Sequence, residues 1–347
     1  MKASVRRAAG RNRPDAVLHS TPETVSWGWI AADRPPVARV KSGRTVRIDT
    51  VTHQGLNTGK DPVAFFGVAG IAPEAVLPDA LEIFLKLKRE EGAGPHIITG
   101  PVHVEGARPG DMLEVRVLDV AIRVPYGVNS TGPGRGAEPD LLKEPAQKII
   151  RLDLKRRVAL FSRGVEVPLA PFMGIVAVAP PPELARVSTK PPGAFGGNID
   201  FKHLIAGSTL YLPVFNEGAL FYTGDGHACQ GDGEVDGTAI EISLTPTMRL
   251  IVHQGAGKSM SWPRAEDAAN YYSMGMGPTL DEALKQAIRE TAGFLQGRGL
   301  SAAEAYALAS LAVDFRIGEA VNNVLMVYGV IPKRLFRHKP AYWAEQR

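Results

Sequence analysis

Two pairs of polar residues stand at two-residue spacing in the glycine-rich segment "FYTGDGHACQGDGE", residues 221–234. Asp225 and His227 form one pair, and Asp232 and Glu234 form the other. In an extended chain, residues i and i+2 lie on one face, so each pair could converge on one point. A carboxylate together with an imidazole suits zinc or a similar divalent cation. The same Asp and Gly residues are also typical of simple turns, so both interpretations stay open at this point.

Two other segments carry side chains that could complete such a site. "GGNID" places Asn198 and Asp200 two residues apart behind a pair of glycines. "PVHVEGARPGD" places His103 and Glu105 on one face of a predicted strand. A lone histidine such as His103 is more often a hydrogen-bonded structural residue than a ligand. Glu105 interrupts an apolar alternation, and a buried glutamate is rarely left without a partner.

Cys229 is the only cysteine of the chain and lies two residues beyond His227. A nucleophilic thiolate needs a lowered pKa, which an adjacent imidazolium or a helix N-terminus can provide. No helix is predicted to start here, so a small buried residue is the preferred interpretation and a thiol active site is the alternative. A single cysteine cannot form an intramolecular disulfide, which fits a reducing compartment and predicts a cytoplasmic protein.

Two further glycine-rich segments have superficial likeness to nucleotide-binding loops. "HQGAGKS" ends in Gly-Lys-Ser, but Val252 stands where the first glycine of a phosphate loop belongs. "GPGRGAE" lacks the spacing of a dinucleotide fingerprint, and we interpret it as a flexible loop that could carry Arg135 to a substrate. Neither segment predicts a nucleotide cofactor.

Length and charge limit the classes of protein that fit. The chain has 347 residues with 44% hydrophobic content and a formal net charge of +4, as expected of a packed globular protein. Five basic residues precede the first acid, Asp15, so the remaining chain is nearly neutral and no nucleic-acid surface is predicted. Residues 1–17 lack an apolar core and are predicted to be a flexible basic leader rather than a secretory signal. No apolar run of about 18 residues predicts a membrane span.

The elements that must position these side chains are mostly strands. Eight segments are β-branched or alternate in polarity between turn residues, and each is predicted to be a strand. They are residues 24–32, 45–53, 97–107, 111–124, 174–180, 208–216, 238–246 and 248–254.

Two helices are predicted near the C-terminus, over residues 279–300 and 301–322, with Thr279 and Ser301 as their N-caps. In the first, Leu280, Leu284, Ile288 and Phe294 stand near helical spacing. The sequence therefore predicts a mainly β fold of sandwich-like antiparallel sheets, with two or more helices near the C-terminus. Residues 18–340 are predicted to form one domain, which could divide into two sub-domains near the proline-rich residues 179–193.

Several segments together resemble the acetamidase/formamidase family over residues 18–337. The segments are "TPETVSWG", "PVARVKSGRTVRIDT", "TGPVHVEGARPGD", "GIVAVAP", "PPGAFGGNID", "GSTLYLPVFNEGALFYTGDGHACQGDGE" and "IPKRLF". Within them, the "GGN.D" and "GD.H...GDGE" elements are the most specific.

The resemblance implies an oligomeric enzyme that hydrolyses short linear amides to a carboxylate and ammonia. It also implies a divalent metal, with zinc as our expectation, held by Asp200, Asp225 and His227. From the chemistry of the reaction we expect Glu234, or else Glu105, to carry the proton of the attacking water to the leaving ammonia. Asn198 could donate a hydrogen bond to the developing oxyanion.

The resemblance leaves some questions open. The segments "VTHQGLNTGKDPVAFFGVAGI" and "RVPYGVNSTGPGRGAEP" depart from the shorter amidases that we would expect, so the amide could differ in size from formamide or acetamide. Two alternatives remain, a thiol amidase that uses Cys229 and a non-catalytic, metal-stabilised β module that binds a small polar ligand. The expected partners are the amide substrate and further copies of this chain, without nucleic acid or membrane.

Overall fold

A computed structural model describes residues 13–57, 59 and 61–338 of the protein. Most of the leader predicted over residues 1–17 lies outside the described residues, and the first strand begins at Ala16. Within the described residues the chain forms 22 strands and four α-helices. No helix in this part of the chain combines the length and the apolar character needed to cross a membrane.

The strands are numbered in chain order. They are β1 Ala16–Leu18, β2 Val25–Trp27, β3 Trp29–Ala31, β4 Ala38–Lys41, β5 Arg44–Ile48, β6 Ile97–Glu105, β7 Met112–Ile122, β8 Tyr126–Thr131, β9 Ala146–Asp153, β10 Val158–Ser162, β11 Val165–Pro168, β12 Phe172–Ala177, β13 Arg186–Ser188, β14 Pro192–Gly193, β15 Gly196–Asn198, β16 Thr209–Pro213, β17 Phe221–His227, β18 Leu244–His253, β19 Arg264–Glu266, β20 Asn270–Gly277, β21 Asp314–Glu319 and β22 Leu325–Pro332. The helices are α1 Pro62–Gly67, α2 Pro78–Lys86, α3 Leu280–Gln296 and α4 Ala302–Ala312.

Two large sheets make up most of the body. One has nine strands in the order β1-β5-β18-β7-β16-β19-β20-β22-β21, and the other has seven, with β14-β15-β12-β17-β6-β2 in line and β4 paired to β6. Only β1 with β5 and β4 with β6 pair in parallel among the described strands. Buried side chains of both sheets, such as Leu113 and Phe172, belong to one hydrophobic cluster. This arrangement confirms the predicted mainly β fold of sandwich-like antiparallel sheets.

The predicted C-terminal helices are present, and their caps explain where they begin. The side chain of Thr279 accepts a hydrogen bond from the backbone of Glu282 at the start of α3. Ser301 and Glu304 form a complete capping box at the start of α4. The second helix ends at Ala312, earlier than predicted, because the following residues form strand β21 instead.

Helix α3 turns a different face to the sheet than its apolar spacing predicts. Ala283, Ala287 and Thr291 are buried, whereas Leu280 and Leu284 are only partly buried. A Cβ atom at Gly275 of β20 would lie 2.1 Å from the backbone nitrogen of Ala287. The small residues therefore face the sheet because the helix lies almost in backbone contact with β20.

Two regions differ from the strand prediction. The strand predicted over residues 238–246 begins only at Leu244, because Glu241 makes isolated bridges to Val128 and His227 instead of joining a ladder. Strands β8 to β11 form a separate four-stranded sheet that no sequence pattern indicated.

The proline-rich segment 179–193 contains β13, which pairs with β3, and β14, which pairs with β15. The division into sub-domains at this segment stays a prediction.

Candidate metal centre

Ionisable side chains from several separate segments meet at the base of one cavity of about 980 Å³. All of them are buried and, with the exception of His227, they line the cavity. The set consists of His53, His96, Asp200, Asp225, His227, Glu234 and Glu241. The sequence had predicted four of these seven, namely the two residues of the β17 pair, Asp200 and Glu234.

Asp225 lies at the centre of the cluster, between three imidazoles. Its Oδ2 is 3.3 Å from Nε2 of His227 and 3.6 Å from Nε2 of His96. Its Oδ1 is 3.8 Å from Nδ1 of His53. The groups His53–His96–Asp225 and Asp225–His227–Glu241 each bring their ligand atoms within 4.8 Å of one another, so Asp225 belongs to two possible ligand sets.

His227 is the second centre and is surrounded by carboxylates. Its Nε2 lies 3.3 Å from Oε1 of Glu241 and 4.0 Å from Oε1 of Glu234. Its Nδ1 lies 3.8 Å from Oδ1 of Asp200. Asp200, His227 and Glu234 form a third group whose ligand atoms lie within 4.8 Å of one another.

Strand β17 brings Asp225 and His227 to one place, but the second i, i+2 pair does not behave in this way. Asp232 and Glu234 lie in the irregular segment after β17. Glu234 enters the cluster, whereas Asp232 pairs with Nζ of Lys202 at 3.0 Å and accepts a hydrogen bond from the hydroxyl of Tyr328. The expected convergence fails there because two-residue spacing defines a common face only in extended backbone.

The glycines around Asp225 serve close packing rather than turns. A Cβ atom at Gly226 would lie 2.5 Å from the backbone oxygen of Ile242, and one at Gly224 would lie 2.6 Å from that of Ile97. Strand β17 can therefore approach its neighbours closely enough to place Asp225 and His227 at the base of the cavity.

Three of the clustered carboxylates sit on left-handed backbone. The φ angles are 41° at Asp200, 55° at Asp225 and 44° at Glu234. Such conformations cost about 1–3 kcal/mol each in residues other than glycine and are concentrated at functional sites. The fold thus tolerates strain at the residues whose side chains form the cluster.

Several buried polar atoms of the cluster have no hydrogen-bond partner within the described part of the chain. These atoms are Nδ1 of His53, Oδ1 of Asn198, Oδ1 of Asp200, Oδ1 of Asp225, Nε2 of His227 and Oε2 of Glu241. Buried polar atoms are nearly always satisfied in native proteins, so these atoms are available to a ligand. Carboxylate oxygens and imidazole nitrogens together fit a divalent cation such as zinc.

The charges of the cluster agree with this fit. Burial and the carboxylates of Asp225 and Glu241 raise the pKa of Asp200 to about 8, although the neighbouring His227 opposes the shift. Burial also raises the pKa of Glu241 to about 7 and that of Glu234 well above its usual range. A bound cation would favour the charged forms of these buried carboxylates. Asp225 differs, because His96, His227 and His53 lower its pKa against the effect of burial.

Hydrogen bonds at the far sides of two imidazoles orient them. Nδ1 of His227 lies 2.9 Å from Oε1 of Gln230, and Nδ1 of His96 lies 3.1 Å from the backbone oxygen of Thr189. Because both partners are acceptors, each Nδ1 is the donor in these hydrogen bonds, and each Nε2 faces Asp225. Metal-bound histidines are typically held in this way.

Asn198 also lines the cavity, where its Nδ2 donates to Oδ2 of Asp200 at 2.8 Å. Its amide nitrogen thus holds Asp200 rather than pointing freely into the cavity.

The expectation for Glu105 is wrong. Glu105 is exposed at the end of β6, opposite Lys41 of β4, and does not line the cavity. The apolar alternation of β6 is buried up to Val104 and ends there, so the glutamate faces solvent. His103 does not line the cavity and packs against Gly218, where a Cβ would lie 2.0 Å from its ring.

Three members of the cluster were missed. Glu241 stands between Ile240 and Ile242. A glutamate within an apolar run was the feature that drew attention to Glu105, and the same feature could have indicated Glu241. His53 follows β5 and His96 precedes β6, and no spacing in the sequence links either one to Asp225.

Cys229 is buried but lies away from the cavity floor. It lines a second cavity of about 500 Å³ together with Phe161 and Pro168, and Glu234 contributes to the walls of both cavities. Burial raises the pKa of its thiol, which keeps the sulfur protonated and weakly nucleophilic.

Gly174 of β12 provides a direct test of the cluster as a cation site. A Cβ atom there would lie 2.5 Å from Oδ1 of Asp200 and 2.8 Å from Oδ2 of Asp225. We therefore expect Gly174→Ala to lower the affinity for Zn²⁺ by about 10- to 100-fold, as when the supports of metal ligands are disturbed. Zinc titration by calorimetry measures the change. Gly67→Ala, which meets no atom within 4 Å, is the control, and an equal loss in both variants would contradict the assignment.

Known proteins share both the sequence pattern and the fold. The model of the Acetamidase/Formamidase family matches residues 91–190 and 184–338. An acetamidase of Mycolicibacterium smegmatis is 26% identical over 200 residues, which cover 41% of this chain and 49% of the relative. A formamidase of Methylophilus methylotrophus is 25% identical over 259 residues, 58% of each chain. The chain thus spans about half the length of these curated relatives.

Solved structures match over a larger share of the chain. An acetamidase from Bacillus halodurans superposes with a TM-score of 0.75 at 29% identity, covering 92% of this chain and 98% of the other. An acetamidase from Yersinia enterocolitica gives a TM-score of 0.75 at 27% identity, with 94% of each chain covered. A gamma lactamase from Delftia acidovorans has the same fold at 20% identity and a TM-score of 0.58.

Proposed function

Because this chain belongs to the acetamidase/formamidase family, we propose that it is an amidohydrolase that cleaves the C–N bond of a short linear amide to give a carboxylate and ammonia. The observation that carries the proposal is the cluster of buried, unsatisfied carboxylates and imidazoles at the base of an open cavity. Acetamidases and formamidases among the relatives support the type of reaction.

A divalent cation, which we propose to be zinc, completes the site. Asp200, Asp225 and His227 would hold it. Asp225 is also grouped with His53 and His96, and with His227 and Glu241, so these side chains offer further ligand atoms. When bound, such a cation lowers the pKa of water towards ~7 and polarises the amide carbonyl.

Glu234 is placed to move the proton in this reaction. Its carboxylate is buried, lines the cavity and has a raised pKa, so it can accept the proton of the attacking water and release it to the departing ammonia. Asn198 holds Asp200 through its Nδ2. In this arrangement Asn198 is a positioning residue, and donation to the developing oxyanion would require that bond to break.

The resemblance to the family also supports a homo-oligomer. The single cysteine supports a cytoplasmic location. The partner that we propose is a small amide.

The thiol alternative predicts that Cys229 is essential, whereas our proposal predicts that it is not. We expect Cys229→Ser to retain most of the ammonia release, because the sulfur lies outside the catalytic cavity and its pKa is raised by burial. Cys229→Ala controls for polarity at the buried position. Loss of nearly all turnover in both folded variants would favour the thiol.

The non-catalytic alternative is disfavoured by the open cavity. A structural metal site is usually closed by protein ligands. Here Asp200, Asp225 and Glu234 all line the cavity, so a small molecule can reach them.

Chelation of the purified protein tests the proposal as a whole. Ammonia release from formamide and acetamide is measured before chelation, after it, and after Zn²⁺ is restored. We expect activity to disappear and return with the metal. Full activity in a sample shown to be metal-free would contradict metal dependence, and absence of turnover in the zinc-loaded protein would contradict amide hydrolysis.

A further inference from the structure

Three basic side chains surround the outer part of the cavity. Arg89 follows α2, Arg135 lies in the glycine-rich loop after β8, and Lys190 precedes β14. All three are exposed, and none forms an ion pair with a carboxylate within the described portion of the chain. Cations that face a shared cavity without partners attract an anion to it.

The acidic residues of the same cavity lie elsewhere. The carboxylates that line it belong to Asp200, Asp225, Glu234 and Glu241, and each is buried at the base. The cavity therefore has negative ligand groups at the base and positive groups at the rim. A molecule with one reacting group and one charged group would bind in a single orientation.

The size and the walls of the cavity fit a molecule larger than formamide or acetamide. Cavities of ~300–1,000 Å³ typically hold ligands of drug-like size, and this one measures about 980 Å³. The lining of the cavity is largely polar, with Gln54, Asn57, Gln147, Ser188 and Asn323 among its residues. Polar walls favour a hydrophilic chain over an aliphatic one.

We propose that this enzyme is specific for short amides that carry an anionic group, such as a carboxylate, at the end opposite the amide. The amide reaches the buried cluster, and Arg89, Arg135 and Lys190 bind the anionic end. The proposal rests on amide hydrolysis at this site and names the class of substrate.

The expected effect is moderate because the cations are exposed. An exposed ion pair changes binding by about two- to fivefold, and the pairs weaken as salt screens them. Two or three cations acting together predict about a tenfold lower KM for the anionic amide, with kcat little changed. The advantage is expected to shrink between 20 and 500 mM NaCl, because the screening length falls from roughly 20 Å to roughly 4 Å over this range.

A matched set of amides tests the proposal. Succinamate carries the carboxylate, 4-oxopentanamide replaces it by a neutral acetyl group, and 4-aminobutanamide replaces it by an ammonium group. We expect kcat/KM to fall in that order. Equal values for the three amides would overturn the proposal.

Variants identify the groups responsible. In Arg135→Gln/Lys190→Gln, the ratio of kcat/KM for succinamate to that for 4-oxopentanamide is expected to fall by about tenfold. Arg163→Gln, which removes an exposed charge in the turn after β10, is the control and should leave the ratio unchanged. An unchanged ratio in the double variant would also contradict the proposal.

Binding of succinate separates this proposal from the proposed reaction. If no amide is hydrolysed, the proposed reaction is contradicted. Calorimetric titration with succinate still measures whether the basic residues at the rim bind a carboxylate. Tighter binding of succinate than of butanoate by the zinc-loaded protein, lost in the double variant, would support the anion site. No difference between the two ligands would refute it.

Discussion

Asp225→Asn is expected to lower kcat/KM for amide hydrolysis by about a thousandfold. Asp225 belongs to two candidate ligand sets, one with His53 and His96 and one with His227 and Glu241. Its Oδ2 lies 3.3 Å from Nε2 of His227 and 3.6 Å from Nε2 of His96. The amide of asparagine has nearly the same shape but no negative charge, so it weakens cation binding while filling the same space. A loss of several kcal/mol of charge stabilisation corresponds to about this factor in rate.

Two measurements accompany the rate. Metal content by elemental analysis should fall in Asp225→Asn, and the thermal unfolding midpoint shows whether the variant is folded. Asp119→Asn, an exposed residue of β7 outside the cavity, is the matched control and should keep both metal and activity. A folded Asp225→Asn protein with normal metal content and normal turnover would remove Asp225 from the site.

Glu234→Gln is expected to lower kcat by about 10²- to 10⁴-fold while the metal content stays near its normal level. The reason is that glutamine can fill the position of Glu234 but cannot take up the proton of the attacking water. Burial of this carboxylate next to Asp200 raises its pKa, which makes it a stronger base towards that proton. Steady-state kinetics and elemental analysis on the same sample measure the two quantities.

Glu105→Gln serves as the comparison because it removes the other carboxylate that the sequence suggested. Glu105 is exposed at the end of β6, so we expect no change in kcat. If Glu234→Gln loses the metal together with the activity, Glu234 is a ligand and another group carries the proton. If Glu105→Gln loses activity, the placement of β6 relative to the cavity is wrong.

Residues 221–234 show how much of the site the local sequence can predict. Alternation of Asp225 and His227 with glycine predicted that both face one side, and β17 has this geometry. The same rule failed for Asp232 and Glu234, because both lie in the irregular segment after β17. Asp225 and His227 meet within the strand although Asp225 itself takes a φ of 55°.

By itself the sequence determined the mainly β fold, the caps of the two C-terminal helices and a core of candidate ligands in Asp200, Asp225 and His227. The fold and the caps follow from short-range rules, namely alternation and capping chemistry, which act between neighbours in the chain. The ligand set followed from residue spacing together with the resemblance to the family. The tertiary structure alone decided that His53, His96 and Glu241 join them, that Glu105 does not, and that Arg89, Arg135 and Lys190 share one rim. Those residues come from segments far apart in sequence, and their proximity depends on how two large sheets and their loops pack, which no local pattern encodes.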